Sequence, residues 1–90
     1  MTWEIRFSPR AKRELAQLPK RDMNRVDNRI QALQEEPHPA NCQKLSGFEN
    51  LYRIRAGDYR IIYQIIDDEI VVVVIRIGHR KDVYRLLREP

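Results

Sequence analysis

The sequence has little of what disulfide frameworks, metal sites or membrane spans require. Cys42 is the single cysteine, so no internal disulfide can form. The two histidines, His38 and His79, are far apart, and no Cys or His cluster has metal-ligand spacing. The longest apolar run, residues 70–75, is too short for a bilayer, and the N-terminal stretch is charged from Glu4 onward. We therefore expect a cytoplasmic protein with no membrane anchor, metal or cofactor.

Familiar catalytic patterns are missing as well. The sequence has no Ser-His-Asp or Cys-His arrangement, no glycine-rich phosphate loop and no paired carboxylate motif. Three adjacent acids, Asp67, Asp68 and Glu69, stand between two β-rich runs. Adjacent side chains in a hairpin point in divergent directions, so we interpret these acids as a solvated turn rather than a magnesium site.

Ninety residues form one domain, residues 1–90, because a chain this short buries too little surface for two separate cores. Seventeen Lys and Arg against thirteen Asp and Glu leave a formal charge of +4. This excess favours a polyanionic partner such as nucleic acid through long-range attraction. Charge alone does not require one, and a solvated basic surface explains the same composition.

The first half of the chain predicts a strand followed by two helices. Residues 2–7 alternate apolar and polar side chains, as a strand buried on one face does. Ser8 followed by Pro9 is a helix start, and a narrow apolar stripe continues until Pro19 interrupts it. A second stripe runs to Glu36, where the following proline disfavours helical geometry. Two helices in a hairpin are expected.

The second half predicts a sheet. Residues 37–50 have no periodicity and are interpreted as a surface connection. Three β-rich runs follow, at residues 51–55, 59–66 and 70–77, with turn residues between them. The last run is apolar on both faces except at Arg76, as expected of an inner strand, and Gly78 is expected to end it.

These elements together predict an α+β fold. An N-terminal strand and a two-helix hairpin precede an antiparallel three-stranded meander, which completes a four-stranded sheet. The remaining segment, HRKDVYRLLREP, predicts a short C-terminal helix.

Arginines occupy alternate positions in the run LYRIRAGDYRIIY. The period of two places Arg53 and Arg55 on one face of their strand. A hairpin that turns at Gly57 would bring Arg60 of the next strand onto the same face. Neighbouring cations repel unless an anion lies between them, so this patch would suit phosphate. The simpler interpretation is that each arginine solvates an exposed sheet face.

More donors follow at the end of the last strand. The segment after Arg76 contains His79, Arg80 and Lys81, and Tyr84 follows within one helical turn of these cations. The titration range of histidine suits proton transfer near neutral pH. A surface histidine on its own, however, is usually inert.

The assembled segments resemble a known family. A strand and helical hairpin, then YRIRAGDYRIIYQI, then VVVVIRIGHRKDVYRLL, resemble the RelE branch of the RelE/ParE toxin superfamily over nearly the whole chain. The GDYRIIY and GHRKDVY segments are the most specific, with KLSG as weaker support. The resemblance implies a ribosome-dependent endoribonuclease toxin that cleaves messenger RNA in the ribosomal A site. It would act without a metal, by attack of the ribose 2′-hydroxyl on the adjacent phosphate.

Site residues carry over by position from the resemblance. Arg60 matches the family's phosphate-stabilising arginine, Arg80 the arginine on the leaving-group side, and Tyr84 the tyrosine that stacks on a base and orients the nucleophile. Additional cations expected at the RNA are Lys44, Arg76 and Lys81. Arg53 and Arg55 stand where well-studied relatives carry lysines, one of which has been proposed to transfer a proton.

That departure leaves the general base open, because arginine stays protonated and cannot readily accept a proton. His79 is one candidate, and the alternative is that the proton passes to solvent or to ribosomal RNA. Expected partners are a cognate antitoxin protein, the ribosome and its RNA, and the messenger. Two other functions stay open, namely a ParE-like inhibitor of DNA gyrase that catalyses nothing, and a basic binding module with degenerate catalytic residues.

Overall fold

A computed structural model describes residues 2–79 of the chain. In chain order the elements are β1 (Glu4–Phe7), α1 (Pro9–Ala16), α2 (Lys20–Gln31), a 3-10 turn (Ala32–Gln34), β2 (Gln43–Lys44), β3 (Leu51–Ala56), β4 (Tyr59–Ile66), a second 3-10 turn (Asp67–Glu69) and β5 (Val71–His79). The predicted α+β class is confirmed. The predicted C-terminal helix lies outside the described residues.

The first helix begins where the sequence predicts. The Ser8 hydroxyl accepts a hydrogen bond from the Ala11 amide at 3.0 Å, and Pro9 occupies the first helical position, where its missing N–H is not needed. Pro19 separates α1 from α2. No helix within residues 2–79 is long and apolar enough to cross a membrane.

The described residues form one five-stranded sheet in the order β1-β5-β4-β3-β2. β1 pairs with β5 in parallel, and the other neighbours are antiparallel. The sequence predicts four strands, and the fifth is β2, in the segment interpreted as a surface connection. Two residues are too few to show a period, so β2 is recognised only by its pairing with β3.

One face of the sheet, here called the helix face, packs against α1 and α2 to form the core. Ile54, Ile61 and Val72 from three adjacent strands meet Val26 and Ile30 of α2, and all five are fully buried. Burial of such side chains stabilises a fold by about 1.5 to 3 kcal/mol each. The apolar side chains that alternate along β1, β3 and β4 are therefore the ones that face this core.

A β-bulge in β5 changes which way its residues face. Arg76 pairs with Ile62 and Val74 pairs with Tyr63, so Ile75 has no partner in β4. Without this extra residue, Arg76 would share the helix face with Val74, because alternate strand residues lie on one side. The bulge moves Arg76 to the opposite face. The strand also continues to His79, so the prediction that Gly78 ends it is wrong.

Candidate functional site

The face of the sheet opposite the helices carries four arginines, and we call it the arginine face. Arg55 of β3 pairs directly with Arg60 of β4, across a two-residue turn in which Gly57 has a φ of 62°. Positive φ is easy for glycine, and it lets the hairpin close tightly. The observed register of β3 and β4 therefore places Arg53, Arg55 and Arg60 on one face, as the sequence predicts.

Arg55 and Arg60 occupy opposed positions but different environments. Arg55 is exposed, whereas Arg60 is almost buried, with 9% of its surface accessible. Like charges at directly opposed positions destabilise a sheet. A phosphate bound between them would relieve that repulsion, because guanidinium groups donate paired hydrogen bonds to phosphate oxygens.

Arg53 lies on the same face and is 8% exposed. Its Nη2 donates a hydrogen bond to Oε1 of Gln43 on β2, a residue that the sequence did not single out. Its Nε is buried and has no hydrogen-bond partner among the described residues. A buried donor without an acceptor costs free energy, so an anion that supplies an oxygen here would be stabilised.

Arg76 completes the arginine face and is held by a carboxylate. Its Nη2 lies 2.9 Å from Oε2 of Glu14 on α1, and its Nε lies 3.2 Å from the same oxygen. Sequence reasoning missed Glu14. A usable signal was present, because Glu14 lies three residues after Ala11 and four before Leu18, both on the packed face of the helix region.

The structure places two predicted site residues on the other face. His79 pairs with Tyr59, and the two rings contact edge to face with centroids 6.0 Å apart. Lys44 pairs with Tyr52, which packs against the core. Neither residue shares the arginine face. Arg80, Lys81 and Tyr84 lie outside the described residues, so their predicted roles stay predictions.

Tyr59 ties this end of the helix face to α2. Its hydroxyl donates a hydrogen bond to Oδ2 of Asp22 at 3.2 Å. Desolvation raises the pKa of Tyr59, and the hydrogen bond to Asp22 adds to the effect. Tyr59 is therefore a neutral neighbour of His79, and an unsuitable proton acceptor.

Within residues 2–79, no three His, Cys, Asp or Glu side chains are close enough together to hold a metal ion. The acids Asp67, Asp68 and Glu69 form an exposed 3-10 turn, which Ile70 follows with a left-handed φ of 55°. The charged groups that the sheet does collect on one face are guanidiniums. The arrangement suits an anionic ligand.

Comparisons with known proteins agree on the family. A family model described as the ParE toxin of type II toxin–antitoxin systems matches residues 5–84. Toxin RelG of Mycobacterium tuberculosis is 33% identical over 94% of this chain and 99% of its own length. The chain belongs to the RelE/ParE family of toxins. The mRNA interferase toxin RelE of Escherichia coli is 31% identical over 90% of the chain and 86% of that toxin.

Solved structures place the chain in the RelE branch. The RelE chain of an archaeal RelE–RelB complex from Pyrococcus horikoshii superposes with a TM-score of 0.79. It is 30% identical, and the match covers 90% of this chain and 98% of that one. The RelE-type resemblance that the GDYRIIY and GHRKDVY segments indicated is thereby confirmed, and this toxin is of the RelE type.

Proposed function

We propose that this RelE-type toxin stops translation by cutting messenger RNA on the ribosome. Relatives named mRNA interferase RelE, from Escherichia coli and Shigella flexneri, support the endoribonuclease activity. The observation that carries the proposal is the pairing of Arg55 with Arg60 on a face that also holds Arg53. Three guanidiniums on one sheet face form a site for the charge of a phosphodiester.

The reaction exchanges one ester bond of the phosphate for another. The 2′-hydroxyl oxygen forms a bond to the adjacent phosphorus, and the bond from phosphorus to the 5′ oxygen breaks. The departing 5′ oxygen takes up a proton from solvent, so the products are a 2′,3′-cyclic phosphate and a 5′-hydroxyl end. The phosphorane between them gains negative charge, and each fixed donor aimed at it can lower the barrier by about 3 to 4 kcal/mol.

Each residue of the site is assigned to one part of the reacting RNA. We assign Arg53, Arg55 and Arg60 to the phosphate oxygens, Arg80 to the departing 5′ oxygen, and Tyr84 to stacking on a base. The last two assignments rest on the family resemblance.

The proton of the 2′-hydroxyl needs a different acceptor, because arginine stays charged. His79 pairs with Tyr59 on the helix face, which disfavours it as the base. We therefore propose that this proton passes to solvent or to ribosomal RNA.

The toxin must also be inhibited in the cell that produces it. The Pyrococcus horikoshii and Escherichia coli relatives are found in complexes with RelB antitoxins. We propose that a cognate antitoxin binds this chain and blocks the arginine face. Both toxin and antitoxin would then act in the cytoplasm, where ribosomes are.

Mapping of messenger 5′ ends in a reconstituted translation reaction tests the proposal. We expect the parent protein to produce new 5′ ends in the A-site codon only when ribosomes are present. The double variant Arg80→Ala with Tyr84→Phe should abolish these ends and still fold. Arg10→Ala, which removes an exposed charge from α1, is the matched control and should cleave normally.

Two outcomes would contradict the proposal. Inhibition of DNA gyrase with intact messenger would indicate the ParE-like alternative. The matching family model is itself described as a ParE toxin. Salt-sensitive ribosome binding without cleavage would indicate a binding module with degenerate catalytic residues.

A further inference from the structure

Two arginines flank Ile62 in one row across the arginine face. Arg53 pairs with Ile62 from β3, and Arg76 pairs with it from β5. They are buried to a similar extent, with 8% and 6% of their surfaces accessible. Their partners differ, however. Arg53 donates to the neutral amide of Gln43, whereas Arg76 donates to the carboxylate of Glu14.

Glu14 engages the strand in two ways. Its Oε2 accepts from Nη2 of Arg76 at 2.9 Å, and its Oε1 accepts from the Ile77 amide at 2.9 Å. The two side chains of the ion pair are 8% and 20% exposed. Salt and water screen such a partly buried pair far less than a surface pair. The positive charge of Arg76 is therefore largely cancelled within the protein.

The fold explains why a carboxylate lies here. β1 pairs with residues 71–74 of β5 and ends at Phe7, so no strand within residues 2–79 lies beside the rest of that edge. The Ser8 amide donates to Val74 and its hydroxyl donates to Ile75. Glu14 accepts from the next amide along the edge, at Ile77. α1 thus covers this part of the strand edge, and the Glu14 carboxylate is fixed beside Arg76.

We propose that Glu14 is a positioning residue of the RNA site. By holding Arg76 at the strand edge and cancelling its charge, it keeps Arg76 from acting as a cation that attracts the phosphate. This inference rests on the proposed function. It replaces the expectation that Arg76 binds RNA with a structural role for Arg76.

The test is a double-mutant cycle of charge-neutralising substitutions, with RNA binding as the readout. The parent, Glu14→Gln, Arg76→Gln and the double variant are titrated with a labelled single-stranded 2′-O-methyl oligoribonucleotide, which has no attacking hydroxyl. Fluorescence anisotropy at several salt concentrations gives both the affinity and its salt dependence. Each phosphate contact on a single strand contributes about 0.7 to the slope of log K against log salt.

Glu14→Gln removes the carboxylate that neutralises Arg76, so it should bind the oligonucleotide roughly three- to tenfold tighter at low salt and steepen the slope by about 0.7. Arg76→Gln should bind more weakly, because it leaves the Glu14 carboxylate uncompensated. The double variant should return to the parent's affinity and slope. A purely structural Glu14 would alter the unfolding midpoint and leave the salt slope of the folded protein unchanged.

A double variant that binds like Arg76→Gln would overturn the inference, because Arg76 would then contact RNA directly. An unchanged slope in Glu14→Gln would overturn it too. If either single variant fails to fold, the double variant alone decides, since it removes both charges together. A parent that binds the oligonucleotide but cuts no messenger on ribosomes would contradict the proposed function, and the binding cycle would still report on Glu14.

Discussion

The same strands carry apolar core residues on the helix face of the sheet and charged residues on the arginine face. On β4, Ile61 is fully buried against the helices, and Arg60 next to it lies on the arginine face. On β3, Ile54 and Arg53 are divided in the same way. The helix face therefore holds most of the apolar burial that stabilises the fold, and the arginine face holds the charges that we assign to RNA. Neighbouring substitutions should thus separate stability from activity.

The largest effect on stability is expected at Ile61. Ile61→Ala would remove a fully buried side chain from the core and should destabilise the protein by about 2 to 5 kcal/mol. Urea unfolding followed by circular dichroism measures the change. Cleavage per folded molecule should stay within about twofold of the parent, because Ile61 faces away from the arginines. Loss of stability below about 1 kcal/mol would contradict the assignment of the core.

A smaller effect, dependent on pH, is expected at Tyr63, also on the helix face. Its hydroxyl donates to the Pro37 carbonyl at 2.8 Å, and Tyr52 stacks on its ring with centroids 5.9 Å apart. Burial raises the pKa of Tyr63 well above its ordinary value. Tyr63→Phe should cost about 1 kcal/mol at neutral pH, because the Pro37 carbonyl loses its donor.

The pH dependence follows from the sign of that shift. Below about pH 10, tyrosine is neutral in both states, and the stabilisation is complete. Above it, the unfolded side chain ionises while the buried one resists, so the free energy of unfolding falls. Urea unfolding at increasing pH should show a steeper fall above about pH 10 for the parent than for Tyr63→Phe. Parallel curves would contradict the burial argument.

Local pattern was enough to predict much of this fold and part of the site. Alternation predicted the strand that became β4, and the Ser8-Pro9 pair predicted the start of α1. The turn at Gly57 set the register that pairs Arg55 with Arg60. These features depend on residues close in sequence, so the physical rules for strands, helix caps and turns are sufficient to predict them.

The features that were missed depend on distant residues. β2 has two residues and no period of its own, and the bulge at Ile75 arises only when β5 pairs with β4. The ion pair joins Glu14 to Arg76, which lies 62 positions further along the chain. No local pattern encodes that distance. Two local signs of this ion pair were available, namely the charge of Arg76 on an otherwise apolar strand and the position of Glu14 on the packed face of its helix.

The most direct test of the central claim compares Arg60→Ala with Ile61→Ala in single-turnover messenger cleavage on programmed ribosomes. Arg60→Ala is expected to lower the cleavage rate by roughly 100- to 1,000-fold while its unfolding midpoint stays close to the parent's. Ile61→Ala should show the reverse, with lower stability and near-normal cleavage by the folded fraction. Parent-like cleavage by a folded Arg60→Ala variant would contradict the assignment of the arginine face to the scissile phosphate.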